Sequence, residues 1–249
     1  MSQRISVVIP VYNDEDMLRE ALAALAVQTR SPDELVVVDN GCTDGSMALA
    51  RAAGARIVVE PERGIPQATA AGFDAAEGEI LGRLDADSLA PPDWVERVVA
   101  AFDAEPDLDA LSGPGRFYGG TPLQTWYGGR IHMPLYYHFV AWLLAHDVLY
   151  GSNMALSARA WQDLRGRVHR HRADVHDDLD ITLNLQPWMN VRFDPTLVVG
   201  VSARPFGSRE RRRAAFVGAG HTAAANFAEQ SLLSRRRAWR RAQRARPTG

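Results

Sequence analysis

The chain has 249 residues, of which 46% are hydrophobic and 23% are charged, and its formal net charge is −2. This composition is typical of a globular protein of one or two domains, and it excludes a disordered or collagen-like chain. A single cysteine, Cys42, excludes a disulfide framework and a four-cysteine zinc site, and it suits a reducing cytosol.

The basic residues are distributed unevenly. All 28 are arginines, so a Walker phosphate loop and a Schiff-base lysine are excluded. Residues 1–200 contain 16 arginines and 28 acidic residues, whereas residues 201–249 contain 12 arginines and 2 acidic residues. An acidic body with a basic end predicts that this end contacts a polyanion or a charged surface.

Neither a secretory signal nor a membrane span is predicted. The apolar run at residues 5–12 is too short and lacks the flanking residues of a signal peptide. Nowhere does the sequence reach the length of about 18 apolar residues that a spanning helix needs. We therefore expect a cytoplasmic protein that meets a membrane only at its surface.

The first hundred residues alternate between strands and helices. Their continuous apolar runs are typical of strands that are buried on both faces. Repeated strand–helix units predict an α/β fold with an open, twisted, mostly parallel sheet that is flanked by helices. Ligands bind such sheets at the carboxyl ends of the strands. Strands are predicted at residues 5–12, 35–38, 56–59 and 79–84, and helices near residues 17–25, 44–54, 67–76 and 91–104.

The second half is less regular. One domain is predicted over residues 1–207, with one half at 1–105 and the other at 106–207. An Arg-rich helical extension follows at 208–249. A loop with one strand is predicted at 113–129, helices at 134–149, 157–164 and 178–185, short strands at 191–193 and 197–201, and mostly helix at 208–246.

Two acids, Asp85 and Asp87, follow the fourth predicted strand directly. Carboxylates at positions i and i+2 of an extended chain point the same way. Such a pair can hold Mg²⁺, which typically takes one or two carboxylates and completes its shell with substrate phosphates. The alternative is a polar strand end whose acids cap the next helix.

Five segments in order extend this pattern over roughly residues 4–204. Together they resemble the family 2 glycosyltransferases, and the resemblance implies the GT-A fold and inverting transfer of a sugar from a nucleotide diphosphate donor. The segments are VVIPVYN at 7–13, VVVDNGCTDGS at 36–46, AEGE at 76–79 leading to DAD at 85–87, GSNMAL at 151–156 and DDLD at 177–180.

The resemblance also implies that residues 1–105 form a nucleotide-sugar-binding half and residues 106–207 an acceptor and catalytic half, and it implies roles for individual residues. Asp85 and Asp87 are expected to hold Mg²⁺ or Mn²⁺ on the diphosphate, and Asp178, the second acid of DDLD, is the expected general base. Crowding by neighbouring acids would raise the pKa of Asp178 toward a useful value, although capping of its helix is the alternative role. The residues expected to bind the donor are Pro10, Tyr12, Asp39, Asn40, Arg63, Asp85, Asn153 and Arg204.

This chain departs from the family pattern at several positions. Asn40 stands where many members have a second acid, and residues 68–70 are Ala-Thr-Ala where Ala-Arg-Asn is usual, so Arg63 is expected to substitute. Arg204 belongs to a Ser-Ala-Arg segment that is similar to one in non-processive members, and it is expected to reach the diphosphate. Since the Gln-x-x-Arg-Trp segment of processive members is absent from the sequence, one sugar is expected per encounter.

These observations favour a metal-dependent transfer to an acceptor hydroxyl, with a UDP sugar as the favoured donor. The acceptor could be a glycan, a lipid-linked molecule or a small molecule of cell-envelope glycan biosynthesis, and His221 is a candidate late metal ligand. Two alternatives stay open. A sugar nucleotidyltransferase usually has a basic triphosphate loop where residues 12–15 are acidic here, and a non-catalytic nucleotide-sugar-binding protein would not need the acids that this sequence retains.

Seven arginines crowd the end of the chain. A nucleic-acid partner is not expected, because the acidic body opposes a wide footprint. The hypothesis is an interfacial helix on an anionic membrane, with Trp239 as a weak apolar anchor, and the alternative is a solvated tail. The arginines are Arg235, Arg236, Arg237, Arg240, Arg241, Arg244 and Arg246.

Overall fold

The computed structural model describes residues 2–204 and 208–245. The predicted alternation in the first half is confirmed, with ends that differ by at most three residues. Its strands are β1 (Ile5–Val11), β2 (Glu34–Asp39), β3 (Arg56–Val59) and β4 (Ile80–Arg83), and its helices are α1 (Glu15–Ala26), α2 (Ser46–Ala52), α3 (Ile65–Ala75) and α4 (Trp94–Ala104).

The second half holds more strands than the sequence predicts. Two of them, β5 and β7, have only five and four residues and are buried throughout, so they lack the alternation that marks a half-exposed strand. Its elements are β5 (Leu108–Ser112), β6 (Gly115–Tyr118), α5 (Pro122–Tyr127), a π-helical turn (Gly128–His132), α6 (Met133–Leu144), β7 (Met154–Ser157), α7 (Ala158–Leu164), α8 (Asp177–Asn184), β8 (Asn190–Phe193), β9 (Val199–Ser202), α9 (Arg209–Glu229) and α10 (Leu232–Ala245).

Seven of the strands in residues 2–204 form one sheet in the order β3-β2-β1-β4-β7-β5-β8. β1 pairs in parallel with β2 and β4, and β2 pairs in parallel with β3. β7 runs antiparallel to both of its neighbours, while β5 and β8 are parallel. The expected open, mostly parallel sheet is thus confirmed, and β6 and β9 form a small second sheet beside it.

The centre of the sheet is covered on both faces. Val7, Val8 and Ile9 of β1 are completely buried, which a strand between two helical layers requires. α3 packs closely on one face because Gly72 lacks a side chain: a Cβ there would lie 2.3 Å from Val8 Cγ1. This packing holds the carboxyl ends of β1, β2 and β4 in line at one edge.

Both C-terminal helices pack against the body of the protein. On α9, Thr222 and Asn226 have no exposed surface, and on α10, Trp239 is only 4% exposed and stacks on His146 with ring centroids 4.3 Å apart. The expectation that Trp239 anchors a membrane helix is therefore wrong, because its ring is part of the core. The predicted boundary at residues 207–208 touches the undescribed residues 205–207, and Arg246 also lies outside the described part.

Within the described ranges, we find no helix with both the length and the hydropathy needed to cross a bilayer.

Candidate active site

The donor side of the site begins where β1 ends. Tyr12 follows β1 directly and is 46% exposed, and the guanidinium carbon of Arg63 lies 3.2 Å from the centre of its ring. Pro10, two residues earlier, pairs with Val38 in the β1–β2 register. The structure therefore brings the predicted residues Tyr12 and Arg63 together as a stacked, solvent-facing pair, although they are 51 positions apart.

The turn after β2 positions this pair. Asp39 Oδ1 accepts hydrogen bonds from the amides of Gly41 and Cys42, at 3.1 and 2.8 Å. Asn40 is 5% exposed, and its amide donates to the carbonyls of residues 60 and 62 and accepts from the amide of residue 64. Asn40 thus holds the loop that carries Arg63. Its buried side chain supports the site from behind, a different role from the expected direct contact with the donor.

Both acids of the Asp-x-Asp turn are engaged by neighbours. Asp85 accepts from Arg83 Nη2 at 2.8 Å and from the Ser152 hydroxyl. Asp87 accepts from Arg204 Nη2 at 2.9 Å, and Arg204 Nη1 also donates to Asp14 at 2.8 Å. Burial and the charge of Asp85 raise the pKa of Asp87 above its ordinary value, although Arg204 opposes this. The predicted residue Arg204 therefore reaches the expected metal-binding acids.

The chemistry of this pair suits a divalent cation. Asp85 and Asp87 offer hard oxygen donors whose mutual repulsion a cation would relieve, and Mg²⁺ commonly takes two carboxylates and leaves positions for phosphate oxygens and water. His221, the candidate late ligand, instead lies 3.1 Å from Asp174 at an exposed ion pair. Among the described residues, His, Cys, Asp and Glu nowhere gather in a metal-binding group of three.

The expected base, Asp178, lies in the first turn of α8. Its Oδ2 accepts from the Gly151 amide at 3.0 Å and its Oδ1 accepts from the Leu179 amide at 2.7 Å. Burial and the charge of Asp177 raise its pKa, while His176, the Gly151 amide and Arg83 act in the opposite direction. A carboxylate with a raised pKa binds a proton more readily than ordinary aspartate does, which is the property that a general base needs.

Arg83 connects the two carboxylate groups. It is 2% exposed, and its Nη2 lies 2.8 Å from Asp85 and 3.0 Å from Asp177. Burial alone would lower its pKa, but the surrounding carboxylates raise it, so Arg83 stays charged. Gly151 must be glycine here, because a Cβ would lie 2.0 Å from Arg83 Nη1. Sequence reasoning missed Arg83, although a lone arginine in a buried apolar strand was the available signal.

Asp177 is committed to this internal network. Besides Arg83, it accepts from Thr69 Oγ1 at 2.6 Å, and the residue is only 8% exposed. Thr69 stands in the Ala-Thr-Ala segment that departs from the family pattern. The departure thus supplies a hydrogen-bond partner for Asp177. The described hydrogen bonds of the Asp178 carboxylate, in contrast, both come from backbone amides.

Asn153 lies inside the core. It has no exposed surface, it accepts from Trp94 Nε1 at 2.8 Å, and it donates to the carbonyls of Leu197 and Pro114 at 2.6 and 3.3 Å. A contact with the donor would break these bonds, so the structure does not support the expected donor-binding role. Asn153 instead fixes the segment that begins at Gly151.

A buried polar cluster holds α8 against α9. Asp180 is 1% exposed and accepts from the backbone amide of His169 at 2.6 Å, from His169 Nδ1 at 2.8 Å and from Asn226 Nδ2 at 2.7 Å. Asn184 donates to Asn226 Oδ1 at 2.9 Å, and the His176 amide donates to Thr222 at 2.8 Å. These contacts fix the helix that carries Asp178.

Comparisons with known proteins agree with this arrangement. The family model described as "Glycosyl transferase family 2" matches residues 6–164. An undecaprenyl-phosphate 4-deoxy-4-formamido-L-arabinose transferase of Pseudomonas fluorescens is 36% identical over 117 residues, which is 43% of this chain and 34% of that protein. Glycosyltransferase AglE of Haloferax volcanii is 33% identical over 49% of this chain and 43% of its own length. The matches therefore span less than half of either relative.

Solved structures share the fold. The mannosyltransferase PcManGT from Pyrobaculum calidifontis, in complex with GDP-Man and Mn²⁺, aligns with 100% of this chain and 77% of its own, with a TM-score of 0.62 and 21% identity. The glucosyl-3-phosphoglycerate synthase of Mycobacterium tuberculosis, with Mn²⁺, UDP and its product, covers 88% and 80% with a TM-score of 0.55 and 18% identity. The family match removes the nucleotidyltransferase alternative, and the chain belongs to the family 2 glycosyltransferases.

Proposed function

We propose that the protein transfers one sugar per encounter from a nucleotide diphosphate sugar, with a UDP sugar favoured, to an acceptor hydroxyl with inversion at the anomeric carbon. Asp85 and Asp87 hold a divalent cation, Mg²⁺ or Mn²⁺, and Asp178 takes the acceptor proton. Tyr12 and Arg63 form the platform for the nucleoside. The acceptor is lipid-linked, and the setting is cell-envelope glycan synthesis at the cytoplasmic face of a membrane.

One observation carries the proposal. Two consecutive residues connect the proposed base with one of the proposed cation-binding acids. The Gly151 amide donates to Asp178, and the Ser152 hydroxyl donates to Asp85. The base and the cation-binding acids therefore flank one short turn. Single displacement requires a base on the acceptor and charge neutralisation on the departing diphosphate, and the contacts of this turn with Asp178 and Asp85 support assigning these two tasks to the acids beside it.

The remaining chemistry is divided among the chain's own residues. A bound divalent cation would neutralise charge on the leaving diphosphate. Arg204 contributes a second positive charge beside Asp87. Arg83 holds Asp177 in place through an ion pair, and the charge of Asp177 raises the pKa of Asp178. The proton from the acceptor hydroxyl goes to a carboxylate oxygen of Asp178 as the new glycosidic bond forms and the bond to the diphosphate breaks.

The membrane setting is supported by the relatives alone. A relative named for undecaprenyl phosphate matches 43% of this chain. That likeness favours a lipid-linked acceptor over a soluble one.

Thermal-shift titration of the full chain with UDP and GDP, each with and without Mn²⁺, tests the proposal. We expect UDP to stabilise the protein, with a larger shift when Mn²⁺ is present. Stabilisation by GDP and not by UDP would leave the proposed reaction unchanged and make guanine the nucleobase of the donor. No stabilisation by either nucleotide would contradict nucleotide-sugar transfer.

A further inference from the structure

An apolar stripe runs along the outer face of the segment from α5 to α6. The exposed members all lie on the side away from the sheet, whereas Gly128, Met133, Tyr137 and Leu144 on the other side are buried. The exposed members are Leu123 (72%), Trp126 (54%), Tyr127 (45%), Ile131 (40%), Leu135 (64%), Phe139 (55%) and Trp142 (64%).

The π-helical turn keeps this stripe on one face. The exposed residues recur mostly in steps of four, and each such step advances an α-helix by about 40° beyond a full turn. Over several steps the stripe would wind around toward the sheet. The wider turn at Gly128–His132 takes up this drift, since a π-helix bonds i to i+5. The local departure from α geometry therefore helps to keep these apolar side chains together on the exposed face.

The stripe is also free of acidic residues. No Asp or Glu occurs between residues 110 and 146, in a body that carries an excess of acids. α10 packs beside α6, where Arg236 lies over the Trp142 ring with its guanidinium carbon 4.9 Å from the centroid. No acid occurs after Glu229. Four arginines of α10 are exposed: Arg237, Arg240, Arg241 and Arg244.

The stripe starts beside the active site. Tyr118, the last residue of β6, donates its hydroxyl to the Asp87 carbonyl at 2.8 Å, and α5 begins four residues later. A Cβ on Gly120 would lie 2.7 Å from Ala203 Cβ, and the next residue, Arg204, binds Asp87. A surface in contact with the stripe is thus close to the cation-binding acids.

We infer that this stripe is a docking surface for an anionic lipid bilayer, with the exposed arginines of α10 as its basic rim. Tryptophan, tyrosine and arginine together are the side chains that favour the boundary between headgroups and acyl chains. Acid-free surfaces on an acidic body complement an anionic membrane, which attracts arginine side chains near its surface. The apolar contact comes from α5–α6, and the basic α10 that the sequence singles out supplies charge.

The inference deepens the proposed function, because docking would bring the site to a lipid-linked acceptor. Co-sedimentation of the full chain with vesicles of phosphatidylcholine, alone or mixed with phosphatidylglycerol, tests it. We expect binding to the mixed vesicles and little to the neutral ones. The double variant Leu135→Ser/Phe139→Ser should bind the mixed vesicles at least about tenfold more weakly, since it removes two apolar side chains from the acyl region. The matched control is Trp188→Ser, an equally exposed aromatic at 64% outside the stripe.

A second variant separates the electrostatic attraction of α10 to the vesicle from the burial of the apolar stripe. Replacing Arg237, Arg240, Arg241 and Arg244 with Gln should remove the preference for phosphatidylglycerol and the sensitivity to salt. Stabilisation by UDP and Mn²⁺ should be the same in the parent and in the stripe variant. If nucleotide binding fails in all chains while stripe-dependent vesicle binding persists, the proposed function fails and the docking surface stands.

Three outcomes would overturn the inference. They are vesicle binding by the stripe variant equal to that of the parent, a loss of vesicle binding in the Trp188→Ser control equal to that in the stripe variant, and no binding of the parent protein to vesicles. In the last case, light scattering that reports a dimer in the parent and a monomer in the stripe variant would assign the face to a second copy of the chain.

Discussion

The donor side and the base side of the site are stabilised in different ways. On the donor side, Tyr12, Asp39 and Asp85 each lie at or just beyond a strand end, and the pairing of parallel strands brings those ends together. On the base side, Asp178 depends on contacts from distant parts of the chain, such as the bond between Asp180 and Asn226, which are 46 residues apart. The first arrangement follows from the strand pattern, whereas the second depends on buried polar groups that meet only after folding.

The largest expected effect tests the base side. We expect Asp178→Asn to bind donor normally and to lose transfer by about 10²–10⁴-fold, because an amide cannot accept the acceptor proton. Initial rates with the donor identified by thermal shift measure this. Asp177→Asn is the matched comparison and should lose far less, and the reverse ranking would move the base to Asp177.

The next effect tests the donor side. Asp87→Asn should abolish the extra stabilisation that Mn²⁺ gives to the complex with UDP, which would be about 2.7 kcal/mol at about 100 times the Kd. The change removes one of the two carboxylates that would hold the cation. Asp174→Asn, at an exposed ion pair with Arg172, is the control. A variant at Asp87 that still responds to Mn²⁺ as the parent does would put the cation elsewhere.

A third prediction concerns the helix that carries the base. Asn226→Ala should lower the free energy of unfolding by about 1–3 kcal/mol, because Asp180 loses a buried donor. Urea unfolding followed by circular dichroism measures this. We expect the change to weaken transfer more than UDP binding, since it acts on α8 and leaves the donor side intact. An equal loss of transfer and of UDP binding would mean that the contacts of α8 stabilise the donor side as well as the base side.

A fourth prediction concerns pH. Since burial and Asp177 raise the pKa of Asp178, transfer should decline as pH falls through that raised value, where the base becomes protonated. Asp177→Asn removes the like charge, so the pKa of Asp178 should fall and the acidic limb of kcat/KM should move to lower pH. A shift to higher pH would contradict the electrostatic account, and Asp174→Asn should leave the limb in place.

The smallest effect concerns the stacked pair. Arg63→Ala should weaken UDP binding by about fivefold, the loss of about 1 kcal/mol that a partly exposed cation–π contact carries. Calorimetric titration measures this, and Arg51→Ala, at the exposed end of α2, serves as the control. An unchanged affinity would remove Arg63 from the donor site.

Sequence patterns predicted the ends of β1, β2 and β4 well because strand ends and glycine turns are local signals. The stacking of Arg63 on Tyr12 was not predicted, since each residue was expected separately to bind the donor. The patterns did not reveal Arg83, since an ion pair between a strand residue and Asp177 depends on tertiary contacts. The burial of Asn153 and Trp239 was missed for the same reason. Neither the motif around Asn153 nor the basic helix around Trp239 shows which distant residues pack over these side chains.

The central claim is that a cation held by the acids after β4 faces a base at the start of α8. A crystal of the full chain grown with Mn²⁺ and UDP, with anomalous difference maps at the manganese edge, tests it most directly. The account predicts one manganese peak bound by Asp87, alone or with Asp85, and by the UDP diphosphate, on the side of the Gly151–Ser152 turn opposite Asp178. A peak at Asp174 and His221, or UDP bound away from Tyr12 with no manganese at Asp87, would contradict it.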